Sequence, residues 1–393
     1  MARMLDRRRF LALGAASAGA AIGCGDHGSP PTSDAAPAPM RYRTLGGTGL
    51  RVSEVAFGAH GVDNPTLMAA ALEAGINTFC TSGNYMDGRE EEALGETLSR
   101  IGTPRDKVVI LTGNALRRGD TAEAMLADID ASLGRLQTDV IDVYCNAMVG
   151  APEDVVIDPL FEAFERARAA GKVRHLAIAG HHGGMQACLE AGIEAGFYDV
   201  FFTKFDFVSY PDQDEILTRA DERGIGTMVF KVNAGNRVHE VEELEAGGLS
   251  FQQATVKWAL TNSFVASVAV TFTNFDQIRE CVAAVAAPID RAEVGMLRRY
   301  ADEMRHRYCR FCAACEPSCP RRVAIADINR HEMYHSCYGR ESEAVGWYRR
   351  LPETRSAGGC DSCPGWCDAA CPFGREVRPG LIAAHRLLNR QEA

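Results

Sequence analysis

From residue 50 onward the chain alternates between two hydrophobic periods. Short runs of consecutive apolar, β-rich residues are each followed by a longer stretch whose apolar positions recur every three or four residues. The runs are EVAFGA (54–59), INTFC (76–80), VVILTG (108–113), DVIDVYC (139–145), RHLAIAG (174–180), DVFFTKF (199–205), TMVFKV (227–232) and SVAVTF (267–272). The stretches between them, such as TAEAMLADIDASLGRL (121–136) and DPLFEAFERARAAG (158–171), predict amphipathic helices. A strand that is apolar on both faces is covered on both faces, which is the mark of a parallel sheet with helical crossovers. Eight such units predict an α/β fold, a (β/α)8 or TIM barrel. No GxGxxG follows an early strand, which argues against an open doubly wound dinucleotide fold.

In such a barrel the loops that follow the strands carry function. That rim is expected to hold Cys80, Asn84, Tyr85, Gly113, Asn114, Asn146, Ala147, Gly180, His181 and His182, continuing through Lys204, Asp206, Lys231, Asn233, Thr271 and Thr273.

The pattern changes at both ends. Residues 7–11, RRRFL, precede LALGAASAGAAIG, an apolar stretch too short to span a bilayer. This is the layout of a signal peptide, and the paired Arg7 and Arg8 fit a twin-arginine export signal. Ala21-Ile22-Gly23-Cys24 is similar to a lipoprotein cleavage box, so Cys24 is a candidate lipid anchor. Residues 25–40, rich in Pro, Ala, Ser and Gly, read as a flexible linker. The expected organisation is a signal over 1–24, the linker over 25–40, the barrel over 41–300 and a second domain over 301–393. The expected location is the periplasm, with possible membrane anchoring through the lipid.

Of 393 residues 46% are hydrophobic, enough for a large domain and a small one, and the net charge is −10. There is no basic stripe to hold a nucleic acid and no apolar run long enough for a transmembrane helix. Composition alters the picture through cysteine: the chain has 14, and nine of them fall between Cys309 and Cys371, eight of these in two short runs. CRFCAACEPSCP (309–320) is C-x2-C-x2-C-x3-C-P, the spacing of a bacterial ferredoxin [4Fe–4S] ligand run. CDSCPGWCDAACP (360–372) repeats it with one extra residue in the middle. In paired runs the fourth cysteine serves the other cluster. The expected ligand sets are therefore Cys309, Cys312, Cys315 and Cys371 for one cluster, and Cys360, Cys363, Cys367 and Cys319 for the other. Zinc knuckles and disulfides are the competing readings; zinc favours two separated CxxC pairs. Cys337, between the runs, reads as a spare. His331, Tyr334, His335 and Trp347 read as packing residues or as residues that dock on the barrel.

The barrel segment resembles the aldo-keto reductase family. YRTLGGTGLRVSEVAFG (42–58), ALEAGINTFCTSGNYMDGREEEALGETL (71–98), DKVVILTG (106–113), TDVIDVYCNA (138–147), GKVRHLAIAG (171–180) and QIRECV (277–282) carry the resemblance. It implies carbonyl reduction with NADPH by a tetrad in which a Tyr donates a proton, a Lys lowers that Tyr's pKa, an Asp holds the Lys and a His orients the substrate. The Tyr position is Tyr85. The Asp position is Cys80, the Lys position Gly113 and the His position Ala147, so one of four groups is kept. The pair that would grip the nicotinamide amide reads Ala179-Gly180, and Glu280 stands at an adenine-contact position. An aldo-keto-reductase-like barrel with a C-terminal ferredoxin-type module is a subgroup of that family, and the chain looks like a divergent member.

Three functions follow as expectations. The first is an exported oxidoreductase or electron-transfer protein working through two [4Fe–4S] clusters, with a redox protein or a small molecule as partner. The second is an NADPH-dependent reductase with an altered site, NADP(H) then being its cofactor. The third is a non-catalytic binding or scaffold barrel.

Overall fold

The structure is a computed structural model that describes residues 39–116, 119–181, 184–208, 213–235, 245 and 250–390. The export signal, Cys24, nearly all of the linker and His182 lie outside the described residues.

A short antiparallel hairpin, β1 (Tyr42–Thr44) and β2 (Arg51–Ser53), precedes the barrel. The barrel strands are β3 (Val55–Gly58), β4 (Thr78–Cys80), β5 (Val109–Ala115), β6 (Ile141–Ala147), β7 (Val173–Gly180), β8 (Val200–Lys204), β9 (Gly226–Phe230) and β10 (Val265–Val270). They pair in parallel in chain order and close β10 onto β3. Each of the eight apolar runs thus became a barrel strand.

A described helix follows each of these strands: α1 (Pro65–Glu73), α2 (Arg89–Ile101), α3 (Ala122–Leu136), α4 (Asp158–Ala169), α5 (Met185–Ala195), α6 (Gln213–Glu222), α7 (Phe251–Leu260) and α8 (Phe275–Ala284). Several starts are fixed by side-chain caps. Asn64 accepts from the N–H groups of Thr66 and Leu67, with Pro65 in the first turn, and Thr121, Ser250 and Asn274 do the same work for α3, α7 and α8.

Two cores result. Phe57, Phe79, Tyr144 and Phe201 lie among the residues packed between strands and helices. Leu45, Val52, Leu111, Val143, Val200 and Met228 fill the barrel interior. Leu45 and Val52 come from the hairpin and stop the N-terminal end. Gly226 has no side chain because the Leu45 side chain lies 2.7 Å from where a Cβ would stand.

Helix α9 (Arg291–Met304) runs past residue 300. It opens with a capping box in which Asp290 and Glu293 bond each other's backbone N–H groups. Beyond it come α10 (Ile325–Cys337), α11 (Glu341–Arg349), α12 (Trp366–Ala370) and α13 (Val377–Leu388). Among the described residues from 301 to 390 there is no strand. The ferredoxin-type cysteine spacing is therefore carried on loops and helices. The tail's core, with Met296, Leu297, Tyr300, Met304 and Tyr308, is continuous with Phe207, Val208, Ala234 and Phe251 of the barrel. The Phe251 and Tyr300 rings pack at a tilt with centroids 4.8 Å apart. Burying each such ring contributes about 1.5–3 kcal/mol, so the tail is fastened to the loops after β8 and β9, on the functional face of the barrel.

Candidate functional site

Tyr85 lies at the mouth, as expected. Its loop is tied to the end of β5: Ser82 Oγ donates to the Gly113 carbonyl at 2.7 Å, and Ala115 N–H donates to Asn84 Oδ1 at 3.2 Å. Met86 (φ 47°) and Asp87 (φ 57°) are left-handed, and Gly88 follows at φ 87°. Two non-glycine residues in that region cost on the order of 1–3 kcal/mol each, so the loop is held in place by its anchors. The Tyr85 ring meets the His60 ring edge-on, 4.5 Å between centroids.

The other tetrad positions are brought beside Tyr85 without the tetrad's chemistry. Cys80 and Cys145 are fully buried neutral thiols, and burial raises the pKa of both. Gly113 sits between their strands, and a Cβ there would lie 2.1 Å from the Cys145 carbonyl oxygen. A lysine does not fit at that position. Ala147 is half-buried at the end of β6. At Gly180 a Cβ would meet Met185 Sδ at 2.9 Å and the Val149 carbonyl at 3.0 Å. Ala179 and Gly180 thus offer no side-chain donor to an amide, and the residues present do not fit the nicotinamide grip that the resemblance implies. Glu280 accepts from Ser250 Oγ, an interaction inside the α7–α8 layer. The pKa of Tyr85 is raised, first by burial and then by Tyr334 and Glu90. Its phenol is a poorer acid than a free tyrosine.

The two lysines of the rim have different fates. Lys204 forms a buried ion pair with Asp206, and its Nζ lies 5.2 Å and 5.6 Å from the ring centroids of Tyr308 and Phe311. Lys231 reaches the mouth. Strand β9 ends at Phe230, and Lys231 takes φ 56°, which turns the chain off the strand. Its Nζ donates to Tyr334 Oη on α10 at 2.7 Å and stands 4.1 Å from that ring's centroid.

Around this pair the tail roofs the mouth. Tyr334 packs against His60 at 6.1 Å, His181 at 6.2 Å and Trp347 at 5.0 Å, measured between ring centroids. Arg340 donates to the His60 carbonyl from the start of α11. Charge here is dense. Burial, helped by Arg330 and Lys204, holds the Lys231 pKa well below the usual amine range. Burial, helped by Arg340 and Lys231, brings His60 down to about 4. Burial raises Glu90 to about 8, against the Gly61 N–H that it accepts. His60, Arg330 and Arg340 were not singled out from the sequence. Nothing local marks them, since their roles depend on contacts across some 280 residues, as between Arg340 and His60.

The tail cysteines gather in two sets. Cys315 is raised to about 12, by burial first and then by Cys309, Cys312 and Cys371. Cys367 is raised to about 11, by burial, Asp368, Cys319 and Cys360. Cys360 in turn feels Cys319 and Cys363. Cys371 therefore neighbours the first run and Cys319 the second. All eight are free thiols. Phe311 (φ 58°) and Ala313 (φ 56°) are left-handed at alternate positions of the first loop. The turn aims N–H groups inward: Phe311 N–H bonds the Cys309 sulfur and Ala314 N–H the Cys312 sulfur. In the second loop Gly365 N–H donates to Cys363 Sγ at 3.5 Å. Burial raises the pKa of both Cys309 and Cys312, and these donors work in the opposite direction, toward the thiolate that binds metal. Two sets of four thiols match in number the ligands of two [4Fe–4S] clusters. Among the described residues no three His, Cys, Asp or Glu side chains converge tightly enough to hold a single metal ion.

The fold and mouth define a parallel (β/α)8 barrel with its functional rim under a helical, cysteine-rich tail. Residues 62–243 match the model of the aldo/keto reductase family. L-galactose dehydrogenase of Arabidopsis thaliana is 26% identical over 284 residues, 63% of this chain and 88% of that protein. The uncharacterized oxidoreductase YrpG of Bacillus subtilis is 26% identical over 311 residues, 66% of this chain and 95% of that one. The holo form of aldo-keto reductase AKR11C1 from Bacillus halodurans superposes with a TM-score of 0.54 at 23% identity, over 66% of this chain and 96% of that chain. At that identity the superposition shows the shared fold. No described helix is long and apolar enough to cross a membrane.

Proposed function

We propose that this aldo-keto-reductase-like oxidoreductase works as an iron–sulfur protein and that its tail holds two [4Fe–4S] clusters. The observation that carries the reading is the interleaving of the two thiol sets. Cys371 joins Cys309, Cys312 and Cys315, while Cys319 joins Cys360, Cys363 and Cys367. When bound, such clusters supply one-electron transfer. The chain's part is to present eight sulfurs, to direct backbone N–H groups at Cys309, Cys312 and Cys363, and to bury Cys315, Cys360 and Cys367.

Loss of the Lys, Asp and His of the family tetrad supports a role other than ordinary NADPH-dependent carbonyl reduction. A buried tyrosine with no adjacent lysine to lower its pKa is a weak acid–base catalyst near neutral pH. We further propose export by the twin-arginine route to the periplasm, with a lipid on Cys24 and no transmembrane helix, and a redox protein or small molecule as partner. The family match and the place of Tyr85 at the mouth favour one second reading, an NADP(H)-dependent reductase with an altered site.

Anaerobic iron and sulfide analysis tests the first reading. The expected result is a brown protein with about eight irons, as two [4Fe–4S] clusters require, whose broad visible absorbance bleaches on dithionite. A colourless, zinc-loaded protein would overturn it. Saturable NADPH binding at micromolar concentration would favour the second reading.

A further inference from the structure

We infer that the two cluster sites are unequal and that Arg310 makes them so: its buried charge raises the reduction potential of the first site, on Cys309, Cys312, Cys315 and Cys371, above that of the second. The inference rests on the iron–sulfur reading and adds to it the site on which an electron rests.

The two ferredoxin-type loops carry opposite charges at the same place. The first reads Cys309-Arg310-Phe311-Cys312 and the second Cys360-Asp361-Ser362-Cys363. Arg310 is 7% exposed and Phe311 3%. Asp361 and Ser362 are exposed, and Asp361 faces the Arg386 guanidinium at 3.7 Å on the surface.

Arg310 is held by a ring from the end of the other run. Its guanidinium carbon lies 3.9 Å from the ring centroid of Phe373, two residues past Cys371. Two more contacts clasp the same segments. His306 Nδ1 lies 3.0 Å from the Phe373 carbonyl oxygen, and Arg375 Nε donates to the Arg307 carbonyl at 2.9 Å. The clasp brings Cys371 to the first set and keeps the guanidinium beside it.

Reduction adds negative charge to a cluster, so a cation nearby favours the reduced form. Burial by itself works the other way, because less water solvates the added charge. A guanidinium inside the fold is always charged and is screened little by salt, so it offsets that loss. Burial raises the pKa of Cys312, and Arg310 is among the groups that pull it back. The arginines of the second site are placed differently. Arg321 is exposed, and Arg378 donates to the Cys360 and Asp361 carbonyls at 2.9 and 2.8 Å. Burial first and then Asp368 raise the Cys367 pKa, so an acid stands close to that set. The first site is also the one packed on the barrel: Lys204 Nζ, at the end of β8, lies 5.6 Å from the Phe311 ring centroid. An electron shared between the two sites therefore rests on the side of the barrel.

The test is a redox titration of the iron-loaded protein with dithionite, followed by electron paramagnetic resonance. The first site is the signal that Cys371→Ser loses. In the unsubstituted protein it should be reduced at the higher potential. Arg310→Met should make it about tenfold harder to reduce, a fall of about 59 mV, and leave the second site where it was. Arg310→Lys keeps the charge and should recover most of that fall. Phe373→Leu removes the ring that holds the guanidinium and should give a smaller fall of the same sign. The inference is overturned if the second site is reduced first in the unsubstituted protein, or if Arg310→Met at full iron content moves neither potential or both alike. Where Arg310→Met fails to load iron, Phe373→Leu decides, and an unmoved first potential overturns the inference. Iron and sulfide are measured on the same samples. A failed cluster reading thus shows as missing iron in the unsubstituted protein, and a failed assignment of Arg310 as an unmoved potential at full iron.

Discussion

Lys231 at the end of β9 and Tyr334 on α10 meet at 2.7 Å although 103 residues separate them. The contact joins the barrel to its tail at the one place where a barrel of this kind keeps its chemistry. It also leaves each group dependent on the other. Tyr334→Phe removes the acceptor of a buried amine and should destabilise the protein by about 1–3 kcal/mol. Urea denaturation read by circular dichroism measures it, and an unchanged midpoint would show that the contact is energetically idle.

The interleaved cysteines make a sharper prediction than their number does. Cys371→Ser should reduce iron content to about half and spare the cluster on Cys360, Cys363, Cys367 and Cys319. Cys319→Ser should do the reverse. If the two variants lose the same cluster by electron paramagnetic resonance, the exchange of the fourth ligands is wrong.

Restoring the family lysine should not restore a reductase. At Gly113 a Cβ would lie 2.1 Å from the Cys145 carbonyl, so Gly113→Lys forces two neighbouring strands apart. The expected cost exceeds about 3 kcal/mol, beyond the ordinary range for a single substitution. A thermal melt lowered by several degrees, with no gain of NADPH-dependent carbonyl reduction, is the predicted outcome.

Glu91 is fully buried; its Oε2 takes Arg135 Nε at 2.6 Å and its Oε1 takes the Thr112 hydroxyl at 2.5 Å. Arg135→Met leaves that carboxylate without its counter-charge, and removing one partner of a buried pair costs about 3–5 kcal/mol. Chemical denaturation of the variant checks this, and a loss below 1 kcal/mol would mean that water replaces the arginine.

His60 and Glu90 at the mouth give stability opposing pH dependences. His60, lowered to about 4, binds fewer protons folded than unfolded between its folded value and the ordinary histidine value near 6.5. Its contribution therefore rises with pH across that window and is lost as pH falls through it. Glu90, raised to about 8, holds its proton in the fold, so its contribution falls as pH climbs from the usual carboxylate range near 4.5 to about 8. Between about 6.5 and 8 Glu90 acts without His60. Glu90→Gln should flatten the decline in stability over that interval, as followed by denaturation midpoints at stepped pH.

The strands were readable because a barrel strand is apolar on both faces, and that condition is written in consecutive residues. The expected run TMVFKV nevertheless stops at Phe230, because Lys231 turns left-handed, a backbone state that hydrophobicity does not encode. The two ferredoxin-type runs were equally legible, since their cysteines sit a few residues apart in the chain. At the rim, sequence reasoning found Tyr85 and both lysines. It missed His60, whose place depends on Tyr85 and on Arg340 of the tail.

What the sequence determined by itself was the barrel and the spacing of eight thiols, both of them consequences of local period and local spacing. Which thiols stand together, which lysine reaches the mouth and which tyrosine it bonds were decided only by the tertiary structure. Those facts depend on how the tail's core closes over Phe207, Ala234 and Phe251. Burial is collective, and no single stretch of the chain contains it.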